Sequence, residues 1–89
     1  MFHTYVLESA KGGELYIGYT INLQKRLLEH NHAQEFSTRR GVPWKLIYYE
    51  ARLHQQDASR RERYFKTNQG RRLLKRRLKE YFFLMRRRA

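Results

Sequence analysis

The chain has 89 residues, with 20 Lys and Arg against 8 Asp and Glu and a formal net charge of +12 at pH 7. At this length it is one small domain with a thin core, so any active site lies at the surface and a deep multi-domain cleft is excluded. Its apolar runs fall far short of the ~20 residues a membrane span needs, no signal-peptide segment opens the chain, and the lack of cysteine excludes disulfides and thiolate metal sites; a cytoplasmic protein is expected.

Residues 2 to 8 and 15 to 20 are rich in aromatic and β-branched side chains and read as strands. Between them Lys11, Gly12, Gly13 and Glu14 tolerate positive φ, which predicts a β-hairpin. Asn22 offers an N-cap to a helix fading near His32, with Leu23, Leu27 and Leu28 turned inward and Lys25, Arg26 and Glu29 outward. Residues 34 to 43 have weak periodicity and contain a Gly and the only Pro. They read as a loop whose Thr38, Arg39, Arg40 and Gly41 can touch a phosphate backbone. Residues 44 to 51 form a third predicted strand. Asp57 or Ser59 is expected to cap a helix running to about Thr67, Asn68-Gln69-Gly70 to break it, and residues 71 to 85 to form another helix. A basic, frayed tail is expected over 86 to 89. The order points to an α+β domain over 1 to 85, a small three-stranded, mainly antiparallel sheet flanked by three helices.

Charge collects toward the end of the chain. Residues 60 to 89 carry thirteen Lys and Arg and two Asp and Glu, against seven and six over residues 1 to 59. Closely spaced phosphates reward many cations at once through counterion release, so a nucleic acid is the expected partner. A membrane-surface helix is the weaker alternative. The stripe of Leu73, Leu74, Leu78, Tyr81, Phe82 and Met85 is more simply the face by which the last helix docks on the domain.

No Walker loop, His-Glu-x-x-His pair or Gly-x-Ser-x-Gly turn is present, and no cluster of acids suits two metals. What stands out is a set of polar groups on adjacent elements: Tyr5, Tyr16, Tyr19, Arg26, His30 and Glu62. Arg26 and His30 are one helical turn apart on the same face. Each also has an ordinary reading. Ser59 and Glu62 fit a capping box, Arg26 suits a surface pair with Glu29 or Glu35, His30 suits an exposed imidazole, and the tyrosines suit simple packing.

The triplet His3-Thr4-Tyr5 followed by Tyr16-Ile17-Gly18 resembles the two halves of the GIY-YIG signature. The likeness continues through Tyr19-Thr20, Asn22-Leu23, Arg26, Glu29-His30, the strand from Trp44 to Glu50, and Arg61-Glu62 with Lys66 after it. The chain therefore resembles the GIY-YIG nuclease superfamily over almost its whole length, most of all its short stand-alone bacterial members. The resemblance implies a metal-dependent endonuclease that cleaves DNA phosphodiester bonds by tyrosine-assisted water attack. Glu62 is then the ligand of one Mg²⁺ or Mn²⁺ ion, and Arg26 lies against the scissile phosphate. Tyr5 or Tyr16 is the base, with Tyr5 the favoured one; His30 orients a tyrosine or contacts phosphate.

Gly18, Tyr19, Arg39, Arg40, Lys66, Arg71, Arg72, Lys75 and Arg76 are the expected nucleic-acid contacts. DNA is the expected partner, RNA a second candidate, with no membrane and no organic cofactor; oligomeric state is left open. Two departures stand against the family pattern. His3-Thr4 replaces Gly-Ile, and Leu74 stands where many members carry an Asn about twelve residues after the metal-binding Glu. The second keeps open a non-catalytic nucleic-acid-binding module of the same fold, and behind it an RNA-associated basic protein.

Overall fold

The first strand in sequence is the middle strand of the sheet. A computed structural model describes residues 1–88, with side chains over 1–85. Strand β1 (Phe2–Ser9) pairs antiparallel with β2 (Leu15–Thr20) on one side and with β3 (Trp44–Arg52) on the other. The hairpin closes through Gly13, whose φ of 75° a glycine adopts without strain. The α+β class and the antiparallel three-stranded sheet are as expected.

Successive side chains of a strand face opposite ways, so β1 feeds two cores. On one face Val6 meets Ile17, Phe65 and Leu74 under helices α2 (Gln55–Phe65) and α3 (Asn68–Arg77). On the other, Tyr5 and Leu7 meet Trp44, Leu23 and Leu27 under α1 (Leu23–Asn31). Two tethers hold α2 on its face: Thr4 donates to the Ala58 carbonyl at 2.9 Å, and Arg61 donates from Nε to Glu50 on β3 at 2.9 Å. Burial alone raises the Glu50 carboxyl, but hydrogen bonds from Arg61, Tyr48 and Arg52 outweigh it and hold the group below the usual carboxylate range.

Asn22 caps α1 as its position predicts, its side chain accepting the Lys25 N–H at 3.1 Å. Leu23 and Leu27 face the sheet, whereas Leu28, expected inward, is 58% exposed. The helix ends in a Schellman motif. The Ala33 N–H donates to the His30 carbonyl and the Gln34 N–H to that of Glu29, with Ala33 at φ 58°. The chain reverses there, and residues 34–43 pass beside α1, Glu35 reaching Arg26 and Thr38 reaching His30. This segment contains a 3-10 turn, Arg39–Gly41. It is pinned by Trp44 Nε1 donating to the Thr38 carbonyl at 2.7 Å and by Ser9 donating to the Gly41 carbonyl at 2.6 Å.

The second half departs from expectation in three places. Helix α2 begins at Gln55, not at Asp57 or Ser59, so Ser59 and Glu62 lie inside it and form no capping box. Asn68, Gln69 and Gly70 do not break a helix; they begin α3, because the Thr67 side chain accepts the Gly70 N–H at 3.1 Å and caps it. A Cβ at Gly70 would lie 2.0 Å from the Tyr64 carbonyl oxygen, so this glycine serves the close packing of α2 and α3. The single helix expected over 71–85 is two, α3 and α4 (Lys79–Arg88), separated at Leu78. Among the described residues four helices accompany the sheet rather than three.

Leu73 and Leu74 dock on the core, and Tyr81 of α4 donates to Glu8 of β1. The tail expected over 86–89 falls outside the described side chains. Among the described residues no helix is long and apolar enough to cross a membrane.

Candidate active site

Tyr5, Tyr16, Arg26 and His30 meet on the sheet face that α1 covers. Cross-strand pairing puts Tyr5 opposite Gly18 and Leu7 opposite Tyr16, so Tyr5 and Tyr16 share the sheet face under α1. The Tyr5 hydroxyl lies 3.0 Å from His30 Nε2, and the other ring nitrogen, Nδ1, lies 2.8 Å from Thr38 Oγ1. Tyr16 packs its ring 4.8 Å from that of His30 and is half-buried, whereas Tyr5 is 1% exposed and His30 fully buried. The exposed-imidazole reading of His30 is thereby corrected: the reversal after Ala33 closes over it.

Burial pushes the Tyr5 hydroxyl up to about 12 although the Arg26 guanidinium draws it back, so Tyr5 is a phenol at neutral pH. Burial, helped by the positive charge of Arg26, lowers His30 below its ordinary value against the opposing pull of Glu35 and Glu29. The imidazole is neutral at pH 7 and keeps one nitrogen as an acceptor. Burial works against the Arg26 charge too, but Tyr5, Glu35 and Glu29 outweigh it and hold the guanidinium above its ordinary range. Its ion pairs are short: Nη1 lies 2.6 Å from Glu35 and 3.3 Å from Glu29.

Gly18 is explained by packing rather than by an approaching ligand. A Cβ there would stand 2.6 Å from the Tyr5 hydroxyl oxygen and 2.8 Å from Cζ, so Tyr5 fills the space that the glycine leaves. Tyr19, on the opposite face, is half-buried.

Glu62 comes from the other helical layer. It lies on α2, which covers the sheet face opposite to Tyr5, and its ionic partner is Lys66 at 3.8 Å. No hydrogen bond or ion pair among the described residues joins it to Tyr5, Tyr16, Arg26 or His30. The described residues also hold no group of three His, Cys, Asp or Glu side chains that suits a metal ion. Glu62 is 20% exposed in its side chain, and a pair at 3.8 Å leaves its hard oxygens open to further contacts. A lone carboxylate of this kind has the hard oxygens that suit a divalent cation whose shell is completed by water and phosphate oxygens. Leu74, at the position of the family's Asn, is a core residue and supplies no support.

The expected nucleic-acid contacts fall into separate patches. Arg39 and Arg40 are exposed on the 3-10 turn beside the Tyr5–His30 pair, whereas Lys66, Arg71, Arg72, Lys75 and Arg76 are exposed along α2 and α3. Arg71 and Lys75 border a concavity of about 740 Å³ between the β1–β2 turn and α4. None of the five catalytic candidates lines it. Thr38, read as a phosphate contact, is instead buried against His30. Its role had no signal in the sequence, since eight residues and a Schellman reversal separate it from its partner.

Residues 1–76 match the family described as the GIY-YIG catalytic domain. Similar proteins include a UPF0213 protein of Bacillus licheniformis, 40% identical over 65 residues that cover 72% of this chain and 67% of that one. A UPF0213 protein of Bacillus pumilus is 44% identical over 64 residues, 71% of this chain and 64% of its own. One from Pediococcus acidilactici is 39% identical over 77 residues, 83% and 78% of the two chains. This chain thus spans about two thirds of the two Bacillus proteins. No solved structure matches it.

Proposed function

The chain belongs to the GIY-YIG family, and from that premise we propose that it is an endonuclease that hydrolyses DNA phosphodiester bonds with water and one divalent cation at Glu62. GIY-YIG proteins form a nuclease superfamily that acts on nucleic acid and works with divalent metal ions. The observation that carries the reading for this chain is the Tyr5 hydroxyl 3.0 Å from Nε2 of a buried His30 whose pKa burial lowers, beside a permanently charged Arg26.

A tyrosine whose pKa is pushed to about 12 cannot wait as a free phenolate. It serves as a base when its own proton has somewhere to go. The attacking water gives a proton to Tyr5 Oη as Tyr5 passes its own to His30 Nε2. The water oxygen bonds to phosphorus, the bond to one ester oxygen breaks, and that oxygen takes a proton from solvent. Tyr16, the more exposed tyrosine, orients the water. Arg26 meets the phosphate, which takes the place of Glu35 on the guanidinium. A divalent cation bound by Glu62 would add charge stabilisation at the phosphate and leaving oxygens.

Burial sets a condition on this scheme. In the free protein Tyr5 is 1% exposed, so the substrate must bring its water to a hydroxyl that solvent scarcely touches. Release of Arg26 from Glu35 is the step that opens the way. The experiment is cleavage of a panel of duplex, nicked, branched and single-stranded DNAs with Mg²⁺, Mn²⁺ or EDTA, where metal-dependent cutting of at least one substrate is expected.

A second reading, a binding module without turnover, is favoured by the core leucine at position 74 and by the lack, among the described residues, of a hydrogen bond between Glu62 and the tyrosines. It predicts salt-sensitive binding and no cutting under any metal.

A further inference from the structure

Among the described residues Phe36 is the most exposed large apolar side chain, at 79%. Exposure alone carries nothing, because isolated apolar residues on a surface are common. Its place in the fold is what matters. It follows directly on Glu35, whose carboxylate holds Arg26 at 2.6 Å, and comes two residues before Thr38, whose hydroxyl holds His30 Nδ1 at 2.8 Å. The short turn that carries Phe36 is therefore fastened at both ends to the candidate catalytic residues. The ring also has a partner on one face: the Arg39 guanidinium carbon lies 4.3 Å from its centroid.

We propose that Phe36, backed by Arg39, is a stacking platform for a nucleobase next to the phosphate that is cleaved. The proposal rests on the nuclease reading above and adds a substrate class to it. An aromatic face stacks on any base, because every base has a π-face. A base inside an intact duplex is already stacked on its neighbours, so the platform gains only from one that is free. The preferred substrate is then a strand with an unpaired base at the cut, as in a single strand, a flap or a gap. Arg39 and Arg40 supply the phosphate contacts on either side without reading sequence. A protein partner docking on Phe36 is the competing occupant, but thirteen cations over residues 60–89 and two more beside the ring favour a polyanion.

The test is binding in EDTA, which keeps the substrate whole, measured by anisotropy with a single-stranded oligonucleotide and a blunt duplex of the same length. Phe36→Ala is expected to weaken single-strand binding about tenfold while duplex affinity stays within about twofold and the melting temperature is unchanged, as suits so exposed a residue. Phe36→Trp is expected to keep single-strand affinity and to show quenching of its added indole emission, with wild-type Trp44, buried in the core, as the background. Single-strand affinity unchanged in Phe36→Ala, or an unquenched Phe36→Trp on saturated protein, overturns the platform. Quenching without cleavage of any DNA in the presence of metal retires the nuclease reading and leaves the platform standing; cleavage without quenching does the reverse.

Discussion

The Tyr5 hydroxyl and His30 Nε2 lie 3.0 Å apart beneath α1, and Thr38 at 2.8 Å occupies the other nitrogen of the ring. A neutral imidazole has one donor and one acceptor nitrogen. In the tautomer whose Nδ1–H donates to Thr38, Nε2 accepts from Tyr5, and this is the tautomer that the proposed proton relay requires.

That arrangement fails when His30 takes up a proton. Its folded pKa is lowered from 6.5, mainly by burial. The corresponding stability is therefore fully present above about pH 6.5, the unfolded value, and is lost as pH falls below it, where the unfolded chain binds the proton and the fold resists it. Melting temperature followed from pH 8 to 5 should fall more steeply below pH 6.5 in the wild type than in His30→Gln, which has no proton to take up. Cleavage should hold through pH 6.5 and decline only at lower pH, where the imidazole of the folded protein takes up its proton. Parallel melting curves would contradict the assignment.

Glu35 competes with phosphate for Arg26 from 2.6 Å. Glu35→Gln removes that competitor and should tighten DNA binding about fivefold at fixed salt, the scale of ~1 kcal/mol for a partly exposed pair. Anisotropy titrations at two salt concentrations check this. Unchanged or weaker binding would show that the phosphate does not replace Glu35.

Gly18→Ala drives a methyl group into Tyr5, 2.6 Å from its hydroxyl oxygen. The ring is held by His30 and cannot yield without breaking that bond. A loss of about 1–3 kcal/mol is expected, read as a lower melting temperature. The penalty should largely vanish in a Tyr5→Leu background; an equal loss in both backgrounds would point to another cause.

Ala33 occupies the left-handed position of a Schellman motif at φ 58°, which costs a residue with a Cβ roughly 1–2 kcal/mol. Ala33→Gly removes that strain and adds chain entropy to the unfolded state. The net gain should be about 0.5–1 kcal/mol, seen as a higher denaturation midpoint with an unchanged slope. A lower midpoint would refute it.

What the sequence revealed and what it concealed follow from the range of each interaction. The hairpin, the Asn22 cap and the sheet were legible because turn glycines, a capping side chain and β-branched runs act over a few residues. The pairing of Arg26 with Glu29 and Glu35 was already among the ordinary readings and is present. The break at Leu78 carries no Gly or Pro, and the α3 cap depends on Thr67 rather than on the Asn-Gln-Gly stretch that suggested a stop. The burial of His30 was hidden because it depends on a helix reversal at an alanine, where a glycine would have announced it. Glu62 illustrates the opposite case: its spacing suggested a capping box, and only the earlier start of α2 removes that reading.

The most direct measurement is plasmid nicking in Mg²⁺ or Mn²⁺ by the wild type, Glu62→Ala and Tyr5→Phe, each checked for unchanged fold and DNA affinity. The proposal predicts metal-dependent nicking by the wild type, abolished by EDTA and reduced at least about 100-fold in both variants. Nicking by Glu62→Ala at the wild-type rate would contradict it.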